Sequence, residues 1–581
     1  MGTLILISIV FAPLAFAAVE PWAYVPLYAL YFYGAAALFA RGEQTHFPPI
    51  YKNLLPAVIA VAVIGVIQSF SQAAVNGPTP LLFTAWRLST VNAVILWLFY
   101  AAVLYCAAKA IKTPEQLSRL LWTIFAVGVV VALMGTLQRA EDNTLVYGIR
   151  RVHGFAFGPF VNRDHGAFFL AMAGMCGLGL FFGGFKPLFR QQSHTKMFDL
   201  LAVQFLKLVM IVAIVAGIVK TGSRGGLHSF IAASTFMGFV AAGFLKHRAH
   251  RLAAWGGLVL LLGAYGLILN HYKILLGLQN GELVGSVTTR FSMYKSSWAM
   301  FNDFPAFGAG LGAVEHAFPL YTRGDILTSG LVRHVHSDWI ELFLQVGAVG
   351  GLIYLAGLIG ALYVFYRGWL RCRSFTVKAV YGGALGAALV GMAHSFVDFG
   401  LQMPANSLVF YALLGALASR PAVEGRGLLP HEEEQEAVYY PPRKIYANAA
   451  AVLAGLLVVA ALPQVLAWHY DQRARRADYA QRLELRAASL RWQAGPQAAF
   501  RLAAEHYNNA LRHKVEPCRQ FKTAQLIAWP YLRQAPVNAD LKRLARNLRL
   551  QLDNCYERAL VVKSGARPAP AQPPTLNTSR P

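Results

Sequence analysis

Charge is scarce in this sequence, and cysteine is scarcer. Only 14% of the 581 residues are Asp, Glu, Lys or Arg while 56% are hydrophobic, a balance that excludes an ordinary soluble globular protein and places the chain in the membrane class. Acidic residues are the rarer sign, 27 against 52 basic, which leaves a net charge of +25. That excess does not read as nucleic-acid binding, because about 12 units of it follow residue 467 and most of the rest sits in short loops; membrane lipids with anionic headgroups, or an anionic glycan, suit it better. Cysteine numbers five, and no pair of them has metal-ligand spacing.

In place of charge the sequence has apolar length. Runs of about 17 to 26 residues recur as far as about residue 467, each long enough to cross a hydrocarbon core of roughly 30 Å. Lipid offers the backbone no water to bond, so each run is expected to be a helix. The fold class expected is therefore an all-α polytopic membrane protein with about 12 to 13 transmembrane helices. The spans are placed near 4–19, 22–40, 54–70, 91–108, 120–137, 166–185, 200–219, 225–245, 252–269, 340–365, 379–399, 405–419 and 448–467. The first run ends in Ala15, Phe16 and Ala17, which resembles a signal cleavage site, but it lacks the basic segment such a signal carries and is counted as a span.

Lys and Arg set the orientation. The loops near 41–53, 109–119, 186–199, 246–251, 367–378 and 420–447 hold about 19 of them in about 84 residues, against about 12 in about 130 on the opposite side. That bias puts the first set and the N-terminus in the cytoplasm and everything after the last span outside. The organisation expected is a membrane domain over 1–467 with a long external loop at 270–339 and a cytoplasmic linker loop at 420–447, then a helical tail over 468–563 and a disordered C-terminus over 564–581. The linker loop contains the acidic run Glu432, Glu433, Glu434 and Glu436. Gly495, Pro496, Pro517, Pro530 and Pro536 divide the tail into several short helices. Cys518 and Cys555 both lie in this external tail, where an oxidising compartment favours a disulfide between them. The long external loop is rich in aromatics, Gly and His, so it reads as an ordered element packed on the membrane domain.

Three external clusters combine residue types that hold and break a phosphate ester. The first is Gly158–Pro159–Phe160–Val161–Asn162–Arg163–Asp164–His165, directly before a span. The second is Thr221–Gly222–Ser223–Arg224–Gly225–Gly226, a Gly-rich turn that opens a helix, where free N–H groups and an arginine fork favour an oxyanion. The third is the long loop, with Arg290, Trp298, Pro305, a turn at Gly308, Gly310 and Gly312, and then Arg333–His334–Val335–His336–Ser337–Asp338–Trp339 leading into a span. His334, His336 and Asp338 are not read as metal ligands, since positions two apart do not share a helix face and no external cysteine completes a set. A histidine at the external mouth is better used as a proton acceptor. A fourth feature is His394 and Asp398, four apart on one face of a span, where ionisable groups are costly and mark function.

These clusters, in this order, resemble the O-antigen ligase family, which also contains lipid-linked polysaccharide polymerases. The resemblance covers roughly residues 150–420 and rests on GPFVNRDH, TGSRGG, the spacing from Arg290 through Trp298 and Pro305 to the glycines, HVHSDW, and HSFVDFGLQMPAN. It implies an inverting, metal-independent glycosyl transfer at the periplasmic face of the bacterial inner membrane, without a cofactor. The donor implied is an undecaprenyl diphosphate-linked glycan, and the acceptor is a saccharide hydroxyl on a growing glycan or on lipid A core. It implies further that Arg224 and Arg290 contact the diphosphate, with Ser223 beside them, and that His336 is catalytic. The stretch departs from the family's at Asp164, where asparagine is expected, so Arg163 is left without an implied role, as are Arg333, His334, Asp338, His394 and Asp398. The tail suits a partner protein of polysaccharide assembly. The competing function is a transporter or flippase that moves a lipid-linked sugar without chemistry; it calls for polar groups near mid-membrane, whereas these clusters sit at one outer face.

Overall fold

The structure is a computed structural model that describes the chain except for residues 42–48, 74, 76–78, 141–144, 152–155, 186–193, 244–246, 276–279, 323–331, 419–443, 494, 514–515, 535–542, 554 and 556–581. The acidic run of the linker loop and the C-terminal segment 564–581 lie outside the described residues. The protein is an all-α polytopic membrane protein: among the described residues, nine helices are long and apolar enough to cross a membrane. The helices are α1 (Gly2–Leu14), α2 (Pro21–Ala40), α3 (Pro49–Ser69), α4 (Arg87–Ala110), α5 (Pro114–Ala140), α6 (Arg163–Gly183), α7 (His194–Thr221), α8 (Arg224–Ala242), α9 (Arg248–Leu275), α10 (Asn280–Asp303), the short α11 (Val314–Ala317), α12 (Asp338–Arg371), α13 (Phe375–His394), α14 (Pro404–Ala418) and α15 (Lys444–Ala474). Two are shorter than the apolar run suggests. α1 stops at Leu14, where Phe16, Ala17 and Ala18 all take positive φ. α14 has 15 residues and every one is buried, so it needs no lipid-facing length of its own.

The chain divides into two compact units, Met1–Val465 and Leu466–Pro581. In the first, small residues let backbones approach. A Cβ on Gly179 of α6 would lie 2.7 Å from the Cα of Gly383 in α13, and one on Gly226 of α8 would lie 2.5 Å from the Cβ of Ala167 in α6. Thr376, at the start of α13, donates to the carbonyl of Gly183 at the end of α6 over 3.1 Å, so the two helices run antiparallel and the start of α6 meets the end of α13. The long loop expected at 270–339 is ordered where it is described. Its helix α10 and the stretches 314–322 and 332–335 close a separate apolar core of Met293, Met300, Val314, Phe318 and Val335 with Phe83. Gly310 holds φ 114° there, and any Cβ would strike Thr84 at 2.4 Å, which is why the glycine run makes a turn against the 84–93 segment.

The second unit is an array of short helices, α16 (Tyr479–Trp492), α17 (Pro496–His513), α18 (Pro517–Gln534) and a further helical stretch at 543–553. Gly495 and Pro517 punctuate it as expected, but Pro530 lies inside α18 instead of ending it. The carbonyl of Leu526 that loses its partner belongs to a residue 66% exposed, so solvent can satisfy it. Ala503, Phe521, Ala524, Leu544 and Leu548 form the core, and Cys518 is bonded to Cys555. The bridge closes a separation of 37 residues, which in the chain-entropy account is worth about 4 kcal/mol. Replacing both cysteines by serine in the full chain is therefore expected to lower the urea midpoint for proteolysis of this unit, and an unchanged midpoint would count against a stabilising bridge.

Candidate functional site

Each of the polar clusters is a helix N-cap, and that is the local reason the sequence folds as it does there. Asn162 accepts from the Asp164 N–H at 2.9 Å and starts α6; Ser223 accepts from Gly226 N–H at 3.3 Å and starts α8; Ser337 accepts from Ile340 N–H at 3.4 Å and starts α12. Gly222, at φ 69°, turns the chain out of α7 and straight into α8, a conformation an L side chain resists. Its bare Cα also lets the Arg163 guanidinium lie close, since a Cβ would be 3.4 Å from Nη1.

The starts of α6 and α8, the end of α13 with the turn after it, and Arg290 from within α10 meet around a cavity of about 50 Å³. Arg163, Ser223, Arg224, Arg290, His394 and Asp398 line it, together with Asp164, Gly222, Gly225 and Val397. It holds a water-sized group or an oxygen of a larger ligand, not a sugar ring. Three guanidinium groups face two carboxylates there, so the cavity carries a surplus of positive charge. Among the described residues neither Arg224 nor Arg290 has an ion-pair partner.

Asp398 is the hub. Its carboxylate is buried, and three imidazoles surround it: His165 Nε2 at 3.5 Å, His336 Nδ1 at 3.7 Å and His394 Nδ1 at 4.0 Å. Burial pushes the Asp398 carboxyl up, but His165, with His336 and His394, more than offsets it and holds the group below the usual carboxylate range. His394 is fully buried with neither ring nitrogen hydrogen-bonded and stacks on Phe168 at 4.6 Å. Phe399 packs against His334 at 4.2 Å, His165 at 4.8 Å and His336 at 5.3 Å. His336 itself holds φ 53°, a backbone state costly for a residue with a side chain and common at functional sites. From α10, four residues after Arg290, the Tyr294 hydroxyl reaches the carbonyls of His336 at 3.3 Å and Phe396 at 3.4 Å.

Not every expected residue comes to the cavity. The span carrying His394 ends at that residue, so Asp398 lies beyond it in the following turn, where the carbonyl of His394 still accepts from its N–H at 3.1 Å. Arg333 is exposed and 3.9 Å from Glu315. Asp338 turns to Ser395 and Leu401. His334 pairs with Glu341 at 3.0 Å, and the other oxygen of that buried carboxylate takes the Val335 N–H at 3.1 Å, so His334 braces the loop. His165, Tyr294, Glu341 and Phe399 were missed as site residues. His165 and Phe399 stood within the stretches GPFVNRDH and HSFVDFGLQMPAN without being singled out, and Glu341 carried a signal as an acid near the start of an apolar run.

Burial disfavours the charged form of His334, yet Glu341 outweighs it and raises the pKa. A raised folded-state value means the pair stabilises the fold fully below the ordinary histidine pKa, near 6.5, and loses that contribution as pH rises through the raised value. His334→Gln is therefore expected to lower the melting temperature at pH 6 and to differ less from wild type at pH 9. A gap that widens toward alkaline pH would reject this pairing.

Among the described residues no three His, Cys, Asp or Glu side chains are disposed to hold a metal ion. Residues 209–355, from within α7 to within α12, match the model of the family Wzy_C, O-antigen ligase. The matched segment contains Arg224, Arg290 and His336, while Arg163, His394 and Asp398 lie outside it. No curated protein matches the chain. The match supports the family resemblance carried by the motifs.

Proposed function

We propose, from the premise that residues 209–355 are an O-antigen ligase domain in an all-α multi-pass membrane protein, that this chain transfers a glycan from a polyprenyl diphosphate to a saccharide hydroxyl. The observation that carries the reading is Asp398, which lines the arginine cavity and at the same time faces His336. Donor and acceptor chemistry thus share one carboxylate.

Arg224 and Arg290, with Ser223 and Arg163 beside them, hold the diphosphate. As the sugar C1–oxygen bond breaks, its electron pair passes to the diphosphate, and fixed guanidinium groups stabilise that growing charge more than the ground state. This charge compensation suits a metal-independent reaction. The acceptor oxygen attacks C1 from the opposite side, so a single displacement inverts the anomeric centre. His336 takes the hydroxyl proton. Because Nδ1 faces Asp398, Nε2 is the nitrogen left for the acceptor, and Asp398 supports the imidazolium that forms.

The charge bias of the loops supports a periplasmic face for this site, in a chain of the bacterial inner membrane. The donor is an undecaprenyl diphosphate-linked glycan; the acceptor is a growing glycan in a polymerase or lipid A core in a ligase. The C-terminal unit is the place for a growing chain or a partner protein of assembly, and it inclines the reading to polymerase. Purified enzyme given lipid-linked repeat units alone is expected to build a ladder of longer glycans. A product that appears only once lipid A core is added makes it a ligase. Lipid-linked sugar that crosses vesicle bilayers with no transfer in either mixture overturns the reading in favour of a transporter.

A further inference from the structure

We infer that Asp338 is a positioning residue that fixes the facing of His336 and Asp398, an inference that rests on the proposed transfer reaction. His336 and Asp398 belong to different segments, and nothing in either one's own secondary structure sets the 3.7 Å between them. The seam between the segments does. Ser395 Oγ, whose one proton also faces the carbonyl of Gly391 at 2.9 Å, donates to Asp338 Oδ2 at 2.9 Å, and the N–H of Leu401 donates to the same oxygen at 3.0 Å. These two donors bracket Asp398 in sequence. The N–H of Asp338 donates to the carbonyl of Asp398 at 3.0 Å, and Ser337 Oγ donates to the carbonyl of Ser395 at 3.1 Å.

The turn that carries Asp398 is therefore tied before, at and after that residue to the two residues following His336. Asp338 is buried and does not line the cavity, so it acts through the pair and not on substrate. Both side-chain bonds end on one oxygen, which makes the requirement an acceptor at that point and not a negative charge. An asparagine can place its carbonyl oxygen there. A leucine fills similar space and leaves the Leu401 N–H without its partner.

In the full chain purified in detergent, Asp338→Leu is expected to lower kcat by about 10-fold to 100-fold with KM for the lipid-linked donor within about twofold, because the arginines are untouched. Asp338→Asn is expected to keep kcat within about threefold of wild type. Should the leucine variant not fold, Ser395→Ala removes one of the two donors and is expected to lower kcat at least threefold with donor KM unchanged. Wild-type kcat in folded Asp338→Leu or in Ser395→Ala overturns the inference. So does a loss confined to donor KM, and so does an Asp338→Asn enzyme as impaired as the leucine variant, which would mean that charge matters. His336→Ala is run in the same assay. If it is inactive while Asp338→Leu transfers normally, only this inference falls; if it transfers at the wild-type rate, the proposed base falls and this inference with it.

Discussion

His336→Ala is expected to lose transfer while still binding the lipid diphosphate. The imidazole stands directly before α12, held at φ 53° with Nδ1 toward a buried carboxylate, and it makes no part of the arginine cavity. Removing it takes away the proton acceptor and leaves the donor's partners in place. General base catalysis of this kind contributes about 100-fold to 10,000-fold, so kcat should fall by that factor while donor affinity stays within about threefold. His334→Ala should do less harm to kcat, because that ring pairs with Glu341, whose other oxygen holds the Val335 N–H, and stacks on Phe399, and among the described residues it makes no ion pair with Asp398. A folded His336→Ala enzyme that transfers glycan at near wild-type rate would sink the assignment, and His165 and His394 would then be tested in its place.

Arg224→Lys and Arg290→Lys should each cut turnover by about 100-fold to 1,000-fold, the range seen when one preorganised donor to a developing oxyanion is lost. Lysine keeps the charge, so the test separates charge from geometry. An ammonium cannot present two parallel N–H groups to a diphosphate, and it holds its water more tightly than a guanidinium does. Arg163→Lys belongs in the same series. That arginine stood as a candidate without an implied role because Asp164 replaces the expected asparagine, yet its guanidinium lies against Gly222 and lines the same cavity. Wild-type turnover in the Arg224 and Arg290 lysine variants would remove direct phosphate contact from the mechanism.

The readable part of the site was its starting points. Asn162, Ser223 and Ser337 are N-cap residues placed directly before apolar runs, and the basic residues beside them could be marked as candidates with no structure in hand. The reading failed where a partner came from elsewhere in the chain. His394 and Asp398 read as a helical pair on one face, but the helix ends at His394, and Asp398 answers also to His165 and His336. His334 and His336 are two residues apart, and the resemblance singled out only His336 as catalytic. Glu341 takes one and Asp398 faces the other.

Apolar run length and N-cap chemistry are local properties, written within about twenty consecutive residues, so the sequence by itself determined an all-α membrane protein and the places where its helices begin. Which helix ends share a corner is decided by packing between distant segments. Contacts such as Gly179 against Gly383 and Gly226 against Ala167 depend on small residues that leave no period in the sequence. Packing of this kind, together with the hydrogen-bonded seam at Asp338, brings residues 163, 224, 290, 336 and 398 together, because the direction of each side chain follows from the rotation and depth of its helix, which a linear pattern does not encode.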